Sequence, residues 1–288
     1  MTNTICAVFV CDKAYFSKFQ FTCHNLRNNG KYAGDILLII GDDLLNHELD
    51  KNEFIISHNV IIKHFPDIHF NPEFYKVQQG LDRPIHFNVK KFQYHKMHLF
   101  NTYLKQWNYI LYIDCGMYIY ENIEPILNTR KPNILLANRD GIDYENGTRL
   151  EKIYNPDDKS GLKLKHQFVY SHPSYDELEN TFNLNDHCFQ TTIMYYDTNI
   201  IQNDTYDNLI NLALKYPVAR TNEQAYMSLY FTKIKSHWQQ LPRHNNDIYL
   251  YDLVRCVRDK YIMVKYPQTL CELDNGYHNI PYTGQTIT

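Results

Sequence analysis

No apolar run in the 288-residue chain approaches the ~20 residues needed to span a bilayer; stretches such as residues 36–40 (ILLII) are only strand-sized. Residues 1–4 lead straight into a strand-like segment, without the basic, apolar start of an export signal. The seven cysteines (Cys6, Cys11, Cys23, Cys115, Cys188, Cys256 and Cys271) form no CxxC pair and are odd in number, which fits a reducing compartment. A soluble, cytoplasmic protein is the expectation. A formal charge of −3 offers no broad attraction to nucleic acid or anionic membrane. The GxGxxG, GxxxxGK[ST], GxSxG and HExxH patterns are missing, which argues against Rossmann dehydrogenases, P-loop NTPases, serine hydrolases and zincins. A Gly-rich loop with a following Arg after the first strand is missing too, which counts against a sugar nucleotidyltransferase. Internal repeats and low-complexity tracts are also lacking.

What is present is patterned for an α/β protein. Residues 4–10 (TICAVFV) read as a strand ending in Cys11-Asp12-Lys13-Ala14-Tyr15. Residues 16–29 follow, with Phe19, Cys23 and Leu26 at helical spacing, and residues 35–40 (DILLII) form a second buried strand. Strand, helix and strand within about forty residues predict a parallel sheet with a right-handed crossover. A third apolar piece, 59–64, precedes a loop in which Pro66, Pro72 and Pro84 prevent long regular structure. From Val89 a helical pattern through Phe92, His95, residues 97–99 and Tyr103 leads into the buried run Tyr109–Ile113, which stops at Asp114-Cys115-Gly116. In open α/β sheets ligands gather beyond the carboxyl ends of strands, so Asp114 is a candidate site residue; the alternative is that it merely opens a turn with Gly116.

Residues 133–137 read as another strand, 138–184 are the least patterned stretch, and 188–196 (CFQTTIMYY) return to strand character. Helices are expected over 200–214 and 221–231, the second capped by Thr221 or Asn222 with Ala225, Tyr226 and Leu229 inward. One domain over 1–288 is expected, with a loose tail at about 277–288.

Four segments in order carry a resemblance: the first strand ending in Cys11-Asp12 and Tyr15, a helix with Lys96 before the strand ending in Asp114, a strand opening Phe189-Gln190-Thr191-Thr192, and a helix opening Glu223-Gln224. This order resembles the GT-A fold glycosyltransferases, in particular the glycogenin-like family 8 branch, over roughly residues 5–231. The resemblance implies a Rossmann-like domain with a mainly parallel central sheet and flanking helices, binding a nucleotide-diphosphate sugar, chiefly UDP-linked. It implies transfer to a hydroxyl of a glycan, protein or small-molecule acceptor, with 138–184 as the variable acceptor-side segment.

Carried over by position, Asp12 and Tyr15 fall where the family contacts base and ribose, and Cys11 and Gly116 count with them as nucleotide-sugar-binding positions. Lys96 falls beside the diphosphate, with Lys90 and Lys91 as competitors. Asp114 matches the first acid of the DxD motif, which orients the donor or holds Mn²⁺ or Mg²⁺. Gln190 matches the polar position facing the donor sugar, and Glu223-Gln224 the DQ-like pair that contacts donor hydroxyls or serves as a base. Gly116 stands where the second DxD acid belongs, and the run Tyr261–Pro267 lacks the family's late metal-binding histidine. Two readings therefore stay open: a divalent cation held in part by Asp114, with His187 or His278 as possible further ligands, or neutralisation of the diphosphate by Lys96, Lys260 and Lys265. The same departures suit a nucleotide-sugar-binding protein without turnover.

Overall fold

Alternate residues of the first strand, β1 (Ile5–Cys11), enter opposite hydrophobic layers: Cys6, Val8 and Val10 on one face, Ala7, Phe9 and Cys11 on the other. A strand covered on both faces needs no polar alternation, hence its unbroken apolar composition. The computed structural model describes residues 4–45, 47–81, 91–140, 162–242, 244–245, 248–255 and 261–267. Lys90, residues 141–161 of the acceptor-side segment, Lys260, His278 and the 277–288 tail lie outside these.

β1 leads through a short turn into α1 (Phe16–Asn28), which buries Phe19, Cys23 and Leu26 as their spacing predicts. β2 (Asp35–Ile40), α2 (Glu53–Ser57) and β3 (Val60–His64) follow, and β1, β2 and β3 pair in parallel. One expectation fails next: Pro72 starts a helix, α3 (Pro72–Gly80), instead of keeping the loop irregular. Proline suits the first helical turn, where its missing N–H would have had no partner, and the Asn71 side chain caps the helix by accepting from Phe74 N.

Lys96 lies in a 3₁₀ segment, Lys91–Phe100, that buries Tyr94, His95 and residues 97–100. A second 3₁₀ piece, Thr102–Gln106, delivers the chain to β4 (Tyr109–Ile113), whose five residues are all buried. Then come β5 (Tyr118–Ile119), α4 (Glu124–Leu127), β6 (Leu135–Arg139), α5 (Pro173–Thr181) and β7 (Phe189–Asp197). α6 (Thr205–Lys215) begins five residues later than its pattern predicts, because Thr198–Ile200 forms a separate 3₁₀ turn on Asp197. α7 (Glu223–Leu229) buries Ala225, Tyr226 and Leu229. β8 (Trp238–Gln240), β9 (His244–Asn245), β10 (Ile248–Arg255) and β11 (Tyr261–Pro267) complete the described elements.

The central sheet has seven strands in the order β3-β2-β1-β4-β7-β6-β8. It is mainly parallel, with β7 antiparallel to both β4 and β6. That reversal brings the end of β4 and the start of β7 to the same edge. Asp114 N continues the ladder by donating to Thr192 O at 2.9 Å.

A second sheet, β5-β11-β10-β9, was not legible in the sequence. In it Met263 pairs with Ile119 and Val264 with Tyr118, so Lys265 falls beside the turn that follows Asp114.

Candidate active site

The sharp end of β4 is built by Gly116. Its φ of 87° is a left-handed conformation that strains any side-chain-bearing residue, and its N–H donates to the buried Thr22 Oγ1 at 2.8 Å, as does Met117 N at 3.0 Å. The turn thus favours glycine for a backbone reason and leaves Asp114 at the tip with no second carboxylate two residues on.

Asp114 is held by three groups. Lys96 Nζ lies 2.8 Å from Oδ1, Lys265 Nζ lies 3.1 Å from Oδ2, and the Tyr112 hydroxyl donates a short bond to Oδ1. Burial pushes the Asp114 carboxyl up, but Lys265 and Lys96 outweigh it and hold it down at about 2. Burial works to lower Lys96, yet Asp114 and Glu223 together raise it, so it stays charged. Lys265 also donates to Cys115 O at 2.8 Å.

Lys96 bridges to a second carboxylate, Glu223 Oε1, at 3.3 Å. Glu223 opens α7 and is 2% exposed; Oε1 also accepts from Thr191 Oγ1 at 3.1 Å, while the buried Oε2 has no hydrogen-bond partner. Burial raises the Glu223 carboxyl above its ordinary range, Lys96 opposing and Asp114 adding to the rise. An unsatisfied buried carboxylate oxygen is costly in a finished structure, and here it points to a site completed by a donor from outside. Asn222 occupies the cap position but does not cap. At φ 54° and ψ −128° it turns the chain sharply into α7, and its amide donates to Gln93 Oε1 at 2.6 Å.

A network of amides adjoins this charged cluster. Gln224 Nε2 donates to Asp140 Oδ2 at 2.9 Å and Gln224 Oε1 accepts from Thr191 N at 3.2 Å. Gln167 donates to Asp140 Oδ2 at 3.1 Å, Gln190 to Asp140 Oδ1 at 3.4 Å, and the Tyr251 hydroxyl to Gln190 Oε1 at 3.3 Å. Asp140, Gln167 and Tyr251 are absent from the sequence-derived site. Asp140 stands just past a buried strand, as Asp114 does, so the same rule points to it. Gln167 and Tyr251 had no such signal.

The remaining candidates lie around the β1 end. Asp12 accepts from Tyr15 N at 2.9 Å and so caps the turn Lys13–Tyr15; burial raises its carboxyl. Tyr15 is part-exposed, with Lys18 Nζ 4.3 Å from its ring centre. Lys18 is a further basic group near the cluster, lowered by burial and then by Lys265. The Cys11 thiol is buried in the core, which leaves its backbone as the part of that residue nearest the β1 end. Lys91 stacks on Tyr75 at 4.9 Å, leaving Lys96 as the lysine of that segment on Asp114. Beside Asp12, a cavity of about 220 Å³ is lined by Asp43, Asp67, Phe92 and His95. A larger hollow of about 660 Å³ runs along Arg27, Asp35 and Val60, at the opposite ends of the strands and away from this chemistry.

Among the described residues, the site does not fit a divalent cation. Mg²⁺ and Mn²⁺ require several oxygen or nitrogen donors, whereas both oxygens of Asp114 are engaged by ammonium groups and Gly116 offers no side chain. His187 sits instead between Lys163 (3.2 Å) and Arg139 (3.4 Å). No cluster of three or more His, Cys, Asp or Glu suited to a metal occurs among the described residues. The metal reading for Asp114 is thereby disfavoured.

No family model matches the chain, and no curated protein matches it. Solved structures do match in fold. The bifunctional glycosyltransferase WbbM in its apo form aligns with TM-score 0.53 and 12% identity, over 92% of this chain and 46% of its own. The chain thus spans less than half the length of WbbM. The galactosyltransferase LgtC, in complex with donor and acceptor sugar analogues, aligns with TM-score 0.51 and 12% identity over 98% of this chain and 83% of its own. Core-mannan synthase A of Aspergillus fumigatus in its Mn/GDP form aligns with TM-score 0.51 and 12% identity, over 86% and 76%. The fold is that of the GT-A glycosyltransferases.

Proposed function

We propose that the protein is a glycosyltransferase acting on a nucleoside-diphosphate sugar, UDP-linked in the first instance, with a hydroxyl as acceptor. The observation that carries this reading is the convergence of Asp114, Lys96, Lys265 and Glu223 beyond the end of β4, in a fold whose solved neighbours are glycosyltransferases. The bond from the anomeric carbon to the diphosphate oxygen breaks, and a bond from that carbon to the acceptor oxygen forms. The diphosphate leaves with the electron pair, so cationic groups next to it lower the barrier where its charge develops. Lys96 and Lys265 supply that charge, and Asp114 holds both in place.

The remaining groups divide between binding and proton transfer. The free Oε2 of Glu223 accepts a hydrogen bond from a donor-sugar hydroxyl, or the proton released by the acceptor. Gln190 and Gln224, already fixed on Asp140, face the sugar. Asp12 and Tyr15 border the nucleoside beside the cavity that Phe92 lines. The acceptor lies towards residues 138–184.

The test is release of free nucleotide from UDP- and GDP-sugars, alongside thermal shift with each. Release that Asp114→Ala abolishes in a folded protein supports the reading. Stabilisation without release identifies a nucleotide-sugar-binding protein, favoured by the loss of the second DxD acid at Gly116, and pyrophosphate production identifies a nucleotidyltransferase. Neither stabilisation nor release with any sugar nucleotide rejects the proposal.

A further inference from the structure

We propose that Lys96 and Lys265, mounted on Asp114, form a metal-independent binding site for the donor's diphosphate group; this rests on the transferase reading above. Gly116 is the first element of the site. A divalent cation between carboxylates needs at least two side chains here, and Gly116, in the turn pinned to Thr22, supplies none. What arrives in its place is an ammonium group. The register of β11 on β5 sets Lys265 beside the turn, where one carboxylate oxygen and one carbonyl receive it at 3.1 and 2.8 Å.

The charge balance is that of a metal site. Two carboxylates, Asp114 and Glu223, meet two ammonium groups, Lys96 and Lys265, just as two carboxylates would meet one divalent ion. An incoming diphosphate therefore meets the same net charge. The geometry gives access on one side: the side chains of Asp114 and Lys96 are 19% and 12% exposed, while Lys265 at 4% lies behind and acts through its charge at short range. Ammonium groups buried in this way are costly unless paired, and Asp114 is the carboxylate that both lysines share.

Isothermal titration of the full chain with UDP, GDP and inorganic pyrophosphate, first in EDTA and then in excess Mn²⁺, tests this. Expected is nucleotide binding in EDTA with a Kd within about threefold of that in Mn²⁺, and a loss of about tenfold or more in Lys265→Met. Lys265→Arg, which keeps the charge, should bind more tightly than Lys265→Met, with thermal melting confirming that each variant folds. Binding that EDTA abolishes and Mn²⁺ restores overturns the lysine site while leaving the transferase reading intact. Lys265→Met that folds and binds like the parent also overturns it. No binding in either condition rejects the transferase reading itself. The wild-type comparison decides the metal question even where Lys265→Met does not fold.

Discussion

Asp114 and Asp140 stand just past the ends of two strands, β4 and β6, that run in the same direction either side of β7. They are held in different ways. Asp114 lies between two ammonium groups, so its charge is fixed; Asp140 receives three glutamine amides, which fix direction rather than charge. The first arrangement suits a phosphate and the second suits sugar hydroxyls. The opening residues of α7 connect them, Glu223 through Lys96 to Asp114 and Gln224 directly to Asp140. The proposed donor has this same division, a diphosphate joined to a sugar.

Asp114→Asn strikes hardest at this contrast. It leaves two buried lysines short of their counter-charge, with an expected cost of about 3–5 kcal/mol in stability and a fall in turnover of about a hundredfold or more. Denaturant melts and nucleotide-release kinetics measure the two effects. Turnover close to the parent's would remove Asp114 from the site.

The titration of Asp114 gives the next effect in size. Its folded-state carboxyl, at about 2, lies below the ordinary 3.8, so the stability it contributes is present above the ordinary value and is lost as pH falls through the folded one. Unfolding free energy should therefore drop by on the order of 2 kcal/mol between about pH 5 and 2. Asp114→Asn should flatten that part of the curve. A curve of equal slope in both proteins would show that the lysine clamp does not perturb this group.

The smallest effect belongs to Asp140→Asn. One amide would then face others, at an expected cost of about 1–3 kcal/mol in stability or sugar binding. Because the change falls on the sugar side, KM for the sugar nucleotide should rise about tenfold while affinity for UDP or GDP alone stays the same. Equal losses for nucleotide and sugar nucleotide would abolish the distinction between the two acids.

The strands that carry these residues were legible because they are buried on both faces: a continuous apolar run such as 109–113 is too short for a core helix and too apolar for a surface loop. Helix α7 was legible from Ala225, Tyr226 and Leu229. Where local chemistry competed with periodicity, the reading slipped: Pro72 began a helix, and Thr198–Ile200 delayed α6. Among the described residues the strands of the second sheet pair only with one another, and its two outer strands, β5 and β9, have just two residues each, too few for any period to register. Within the site, the Gly116 departure was visible in the sequence, but its cause, the hold of Thr22 on the turn, was not. Lys265 stood among several lysines. What distinguishes it is a pairing of β11 with a strand some 145 residues earlier, information that no local window contains.

That pairing also sets an order of events during synthesis. The strands β1 to β7 and the helix bearing Glu223 emerge from the ribosome before β11, so a nascent chain can lay down the central sheet while Asp114 still has only Lys96 for a counter-charge. The clamp closes when Lys265 arrives. A chain truncated before β11 would keep much of its core and lack the closed clamp, which makes the ion pair of Lys265 with Asp114 a late mark of a completed molecule.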